Sequence, residues 1–269
     1  TLAKEHDRIM EAVTVGKHSD VVVLCLGLDE TLEGEELDEG NSSGSGDKKD
    51  LELPLVQRQL LEQITNLGKP VILCLMAGSA LNLSFGKEHC NSILQIWYPG
   101  ARGGKAVADI LFGNDSPSGK LPVTFYSNLD SMPEFTDYTM TNRTYRFMKE
   151  KALYPFGFGL TYGEVVCNLA EIVEPVVENK DITIQIEAEN IGDFGTEEVI
   201  QCYIKDLESK YAVPNYNLCG FKRIQLQPKE KKTVDISIPF DSLKVIDEDG
   251  NQLLDSSKFT IYIGMSQPD

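Results

Sequence analysis

Val21-Val22-Val23-Leu24-Cys25-Leu26 decides the fold, together with the Gly27-Leu28-Asp29 that ends it. Six apolar residues without polar alternation leave no face for solvent, which predicts a strand buried on both sides, as in a parallel sheet. A second such run covers residues 70–76, with Val71-Ile72-Leu73-Cys74-Leu75 at its centre, and a third covers 92–97. Helical patterns lie between and around them. Residues 1–16 place Leu2, Ile9, Met10 and Val13 on one face. Residues 55–66 open behind Pro54, turn Leu60, Leu61 and Ile64 inward and stop at Gly68, and residues 103–111 follow Pro99-Gly100. Strand, helix, strand, helix in this order predicts right-handed βαβ units around a parallel sheet of about three strands.

The first strand runs into Leu32-Glu33-Gly34-Glu35-Glu36-Leu37-Asp38-Glu39-Gly40 and then a Ser/Gly tract, together a loop over residues 29–50. Open α/β sheets bind ligands at the carboxyl ends of their strands, and this loop stands at one. Carboxylates there are candidates for proton transfer, whereas an acidic loop elsewhere is usually only a solvated surface. Crowded carboxylates raise one another's pKa, which would favour the protonated form that a general acid needs.

Composition narrows the partners. With 25 Lys+Arg against 42 Asp+Glu the net charge is -17, which opposes nucleic acid and anionic membrane and suits a neutral substrate such as a sugar. No segment has the run of apolar residues needed to span a bilayer, and residues 1–20 contain no signal-peptide core. Six cysteines, at 25, 74, 90, 167, 202 and 219, include no C-x-x-C pair and sit mostly in apolar runs, so they read as structural thiols of a reducing compartment, the cytoplasm. His6, His18 and His89 are isolated from one another and from any zinc spacing, and no G-x-G-x-x-G fingerprint is completed, so neither metal nor cofactor is expected. The chain opens at Thr1 rather than Met, which suggests a fragment, a processed chain or a portion taken for crystallisation.

Beyond Gly163 the period changes to two. Residues 181–188, 199–204, 233–238 and 259–263 alternate apolar and polar, with Gly192, Gly195, Pro228 and Gly250 between them, which predicts half-buried antiparallel strands in a β-sandwich over about residues 165–269. The change falls behind the aromatic and glycine stretch Tyr154-Pro155-Phe156-Gly157-Phe158-Gly159-Leu160-Thr161-Tyr162.

Three blocks carry a family resemblance. The first is Trp97-Tyr98-Pro99-Gly100, Gly103-Gly104-Lys105-Ala106-Val107-Ala108-Asp109 and Leu111-Phe112-Gly113 with Pro117-Ser118-Gly119-Lys120-Leu121-Pro122. The second is Tyr154 to Tyr162. The third is Asn190-x-Gly192-x-x-Gly195-x-Glu197-Glu198-Val199-Ile200-Gln201-Cys202-Tyr203 with Gly220-Phe221-Lys222-Arg223 downstream. In this order they resemble the C-terminal half of glycoside hydrolase family 3. The resemblance implies a three-layer α/β sandwich with a mostly parallel sheet over residues 1–163, carrying the 29–50 loop, then a fibronectin type III-like β-sandwich over 164–269.

It also implies a retaining β-glycosidase of the β-glucosidase or β-xylosidase kind acting on a small carbohydrate. Such enzymes hold two carboxylates about 5–5.5 Å apart, a nucleophile and a general acid/base. In the family the nucleophile is an Asp on a (β/α)8 barrel, so the resemblance implies a barrel domain or subunit as partner and a chain that is inert by itself. The acid/base lies on the loop after the first strand, in a pattern G-L-D-x-T-x-E-x-E-G-x-D-R. Against Gly27-Leu28-Asp29-Glu30-Thr31-Leu32-Glu33-Gly34-Glu35 that register selects Glu33, but Glu36-Leu37-Asp38-Glu39 replaces the Gly-x-Asp-Arg segment and leaves Glu35 and Glu36 as alternates. Trp97 and Tyr98 are candidates for lining a sugar subsite, against the plainer reading of Trp97 as core at a strand end. A non-catalytic carbohydrate-binding or assembly module is the alternative function.

Overall fold

The structure, a computed structural model, describes residues 8–34, 48, 50–130 and 132–268. The chain divides into two compact units, Thr1–Ala108 with Phe125–Asp130 and Asp109–Thr124 with Ser131–Asp269.

In the first unit α1 (Ile9–Lys17), β1 (Val22–Gly27), α2 (Leu55–Thr65), β2 (Val71–Met76), α3 (Ser84–His89) and β3 (Ser92–Gln95) succeed one another, and α4 (Gly103–Leu111) begins there. The helix expected from residue 1 is described from Ile9, its first seven residues lying outside the described ones. Strands β1, β2 and β3 form a parallel sheet in that order. Val22 pairs with Val71 through to Gly27 with Met76, and Leu75 with Gln95, so the three carboxyl ends lie level. Strand β3 stops short of the expected residue 97, since the backbone at Trp97 turns left-handed, φ 56°, and cannot remain in the ladder. Helix α3 is an addition, started by Asn82 Oδ1 accepting both the amide and the hydroxyl of Ser84.

Central β2 is buried on both faces, at Val71, Leu73, Cys74 and Leu75. Edge strand β1 differs from expectation. Leu24 and Leu26 are buried, while Val23 is 46% exposed and Cys25 is exposed too. An unbroken apolar run gives the residue types for two-sided burial, but the cover depends on what packs on each face.

The second unit contains α5 (Thr144–Phe147) and the strands β4 (Val165–Ile172), β5 (Ile182–Asn190), β6 (Thr196–Asp206), β7 (Asn217–Leu226), β8 (Lys231–Ile238), β9 (Val245–Ile246), β10 (Gln252–Leu253) and β11 (Phe259–Gly264). Two antiparallel sheets, β4-β5-β8 and β11-β6-β7, enclose one apolar core that includes Ile184, Ile186, Ile200, Leu226, Val234 and Ile236. Strand β5 alternates buried and half-buried residues along its whole length, as its period of two requires. The architecture is thus an α/β fold with a parallel sheet followed by a β-sandwich.

The residues that carry the family resemblance interlock in this unit. Gly157, with φ 76°, passes so close to β6 that an added Cβ would lie 2.1 Å from Gln201 Oε1, and Gln201 Nε2 donates to Gly157 O at 2.9 Å. Phe156 stacks on Tyr145 at 4.4 Å. Lys120 Nζ donates to Gly159 O and pairs with Glu198 Oε1, each at 2.6 Å. Arg143, just before α5, binds the carbonyl of Glu134, and Arg146 of α5 donates to Asn217 at the start of β7.

Asn190 is the hub. It is 0% exposed, its Oδ1 accepts from the amides of Glu164 and Gly192, and its Nδ2 donates to the carbonyls of Phe194 and Gln227. Asn190→Ala strands four backbone groups, so it is expected to cost on the order of 3 kcal/mol. Urea unfolding of the variant beside wild type measures the loss, and a shift within about 0.5 kcal/mol would show that the loops find other partners.

Candidate functional site

The level carboxyl ends of β1, β2 and β3 bring three short segments together. After β1 the amide of Leu28 continues the ladder to Met76 O. The chain then closes a turn on Asp29, whose carbonyl accepts from the amides of Leu32 and Glu33. Its Oδ1 takes the amide and hydroxyl of Thr31, which holds the Asp29 carboxyl below its ordinary pKa. This Asx turn projects Glu33 toward the end of β2.

There Glu33 Oε2 accepts from the amide of Gly78 at 2.8 Å and from the phenol of Tyr98 at 2.5 Å. Gly78 follows β2 and Tyr98 follows β3. A side chain at position 78 would meet both partners, because an added Cβ would lie 2.8 Å from Tyr98 Cε2 and 3.2 Å from Glu33 Oε2. Glu33 Oε1 and Ser79 Oγ are both buried and neither completes a hydrogen bond. The Ser79 hydroxyl is nonetheless near enough to favour the carboxylate form of Glu33. Lys48 donates to Ala80 O at 3.0 Å and adds its positive charge.

Burial is the largest single influence on Glu33 and pushes its pKa up. The Ser79 hydroxyl, the Tyr98 phenol, the Gly78 amide and Lys48 together outweigh it, so the carboxyl lies below its ordinary value. The sequence-based expectation of a pKa raised by crowded carboxylates is therefore corrected for Glu33: its described surroundings are donors. Glu35 and Glu36 lie outside the described residues. Burial, then the bond to Glu33 and its charge, pushes Tyr98 up to about 12. Lys48 is lowered by burial, against the pull of Glu33 and Asp50.

Of the other expected residues, Trp97 is half-buried with its ring edge-on to Phe125 at 6.4 Å, while Tyr98 is 52% exposed. Sequence reading missed Gly78, Ser79 and Lys48. The signal for the first two was their place directly behind the second parallel strand, since each strand of such a sheet delivers a loop to the same edge. Burial pushes the Cys74, Cys167 and Cys202 thiols up to about 11, in keeping with structural cysteines. Among the described residues no group of three or more His, Cys, Asp or Glu is placed to hold a metal ion, and no helix is long and apolar enough to cross a membrane.

Known proteins are similar to this chain in sequence and fold. The sequence model of the glycosyl hydrolase family 3 C-terminal domain matches residues 2–162, and that of a fibronectin type III-like domain matches residues 198–267. A xylan 1,4-beta-xylosidase of Xylanibacter ruminicola is 38% identical over 262 residues, 96% of this chain and 30% of that protein. A beta-xylosidase of Formosa agariphila is 36% identical over 262 residues, covering 95% and 35%. The solved structure of a β-glucosidase from Erythrobacter marinus superposes with a TM-score of 0.84 at 33% identity, over 96% of this chain and 34% of that one. The chain thus spans about a third of the length of the relatives it matches. With its α/β unit, its β-sandwich and a family match over well over half of its residues, this chain belongs to glycosyl hydrolase family 3, of which it carries the C-terminal domain and the fibronectin type III-like domain.

Proposed function

We propose that the chain is the C-terminal portion of a retaining β-glycosidase that releases terminal non-reducing β-linked glucose or xylose, and that Glu33 is its general acid/base. The observation that carries this reading is the Glu33 carboxylate, on a turn at the carboxyl edge of a parallel sheet, gripped by groups from the two neighbouring strand ends. Isolated surface carboxylates are not held in this way, and retaining enzymes need a positioned carboxyl that alternates between acid and base. The names of the relatives support the substrate class.

The nucleophilic Asp comes from a (β/α)8 barrel on another segment or subunit. It attacks the anomeric carbon while protonated Glu33 donates to the departing oxygen. Water then displaces the nucleophile as Glu33 takes the water proton. Docking over a bound sugar excludes water and raises the pKa of a carboxyl that is otherwise held low, so the acid form gathers where it is used.

The full polypeptide carrying this chain is expected to hydrolyse aryl β-D-glucosides or β-D-xylosides with the β-anomer of the sugar as first product, followed by proton NMR. An α-anomer formed first, or no cleavage of either substrate, would contradict the proposal.

A further inference from the structure

Tyr98 is not an ordinary core ring. Half of it faces solvent, yet its hydroxyl is committed to Glu33 Oε2. The residue before it, Trp97, stands in the left-handed region, a backbone state that costs an aromatic residue energy and gathers at functional sites. The residue facing it is a glycine at which any side chain would strike both the Tyr98 ring and the Glu33 carboxylate. A strained turn, an exposed ring and a bare backbone therefore converge on one carboxylate oxygen.

We propose that Tyr98 is a positioning residue. With the Gly78 amide, its phenol fixes Glu33 Oε2 so that the carboxylate is set to take a proton from water in the hydrolytic half of the retaining cycle. The inference rests on the reading of Glu33 as the acid/base. In the first half-reaction the anomeric carbon exchanges its bond to the leaving oxygen for one to the nucleophilic carboxylate, and the leaving oxygen takes the Glu33 proton. In the second, water oxygen bonds to the anomeric carbon, the ester bond breaks with its electron pair returning to the nucleophile, and the water proton passes to Glu33. Donors on Oε2 favour the ionised form and so oppose the first half, in which the carboxyl must keep its proton, whereas in the second half they assist by orientation, holding the other oxygen toward the water. Among the described residues, the titratable groups acting on this site are Tyr98 itself, Lys48 beside Glu33, Asp29 near Tyr98 and Asp50 near Lys48. The lowered pKa of Glu33 agrees with the geometry.

Tyr98→Phe removes one hydroxyl from a half-exposed ring and leaves the packing in place. In the full polypeptide, with a dinitrophenyl glycoside whose departure needs no acid, kcat is limited by hydrolysis and is expected to fall about 10- to 100-fold, the worth of a hydrogen bond to a charged group. Azide, which attacks without a base, restores it. With an unactivated phenyl glycoside the alkaline limb of kcat/KM is expected to move up by about one pH unit, because Glu33 keeps its proton longer. In a Glu33→Gln background Tyr98→Phe should do nothing further. An equal loss in both backgrounds, a change in KM alone or an unmoved alkaline limb would make Tyr98 a sugar contact and overturn the inference while Glu33 keeps its role. Unchanged activity in Glu33→Gln by itself would instead remove the acid/base reading, and the role of Tyr98 with it.

Discussion

Glu33→Gln in the full polypeptide is expected to lower kcat/KM on an unactivated aryl β-glycoside by about 10²- to 10⁴-fold, the usual worth of a positioned general acid. The amide keeps the size of the side chain and offers hydrogen-bonding atoms to Gly78 and Tyr98, so the loss reports the proton rather than the fold. On a dinitrophenyl glycoside kcat/KM should hardly move, since that leaving group departs without a proton. Its kcat should fall, because the hydrolytic half still lacks a base. A uniform loss on both substrates would indicate damaged binding. No loss on either would shift the assignment to Glu35 or Glu36, the neighbours that the sequence register left as alternates.

The second large effect concerns stability. Lys120 and Glu198 form an ion pair whose side chains are 9% and 6% exposed, with Gly159 O and the Val199 amide completing the set. Lys120→Met leaves the Glu198 charge buried without its cation, and the expected loss is about 3–5 kcal/mol in the unfolding free energy. The double variant Lys120→Met with Glu198→Gln should recover a large part of it, because the uncompensated charge is the main penalty. Urea titration of the single and double variants reads the difference. A double variant as unstable as the single one would place the cost in lost packing around the lysine stem.

The parallel strands were legible because an unbroken apolar run such as Val71 to Leu75 suits a strand buried on both faces, although the edge run Val22 to Leu26 shows that the run alone does not fix the cover. The alternating strands were legible for the complementary reason, as the regular burial along β5 demonstrates. Strands β4 and β7 escaped. The outer half of β4, Asn168 to Ile172, is exposed whatever its residue type, so it has no alternation to read. Strand β7 is broken in pattern by Gly220 and by Lys222-Arg223, of which Arg223 spends its charge on Glu197 at 2.8 Å. Asn190, Gly157 and Lys120, among the recognisable motif residues, hold the structure together, as what they bind shows.

The site divides in the same way. Glu33 could be selected from the family register and from its place behind a parallel strand, and Tyr98 stood among the sugar-lining candidates. The contact between them could not be read, because it depends on the level register of three strands and on a left-handed turn at Trp97 that no local propensity favours. Gly78 carries no chemistry of its own and becomes informative only when a carboxylate is found against its amide.

The assignment of Glu33 is tested most directly by the product that azide gives. Glu33→Ala, made in the full polypeptide and supplied with a dinitrophenyl β-glycoside, should form the glycosyl-enzyme at near wild-type rate and release it slowly. Added azide should speed turnover and yield the β-glycosyl azide, identified by mass and by its NMR coupling, while Glu35→Ala and Glu36→Ala under the same conditions yield only the free sugar. Free sugar alone from Glu33→Ala, with glycosyl azide from either neighbour, would contradict the account.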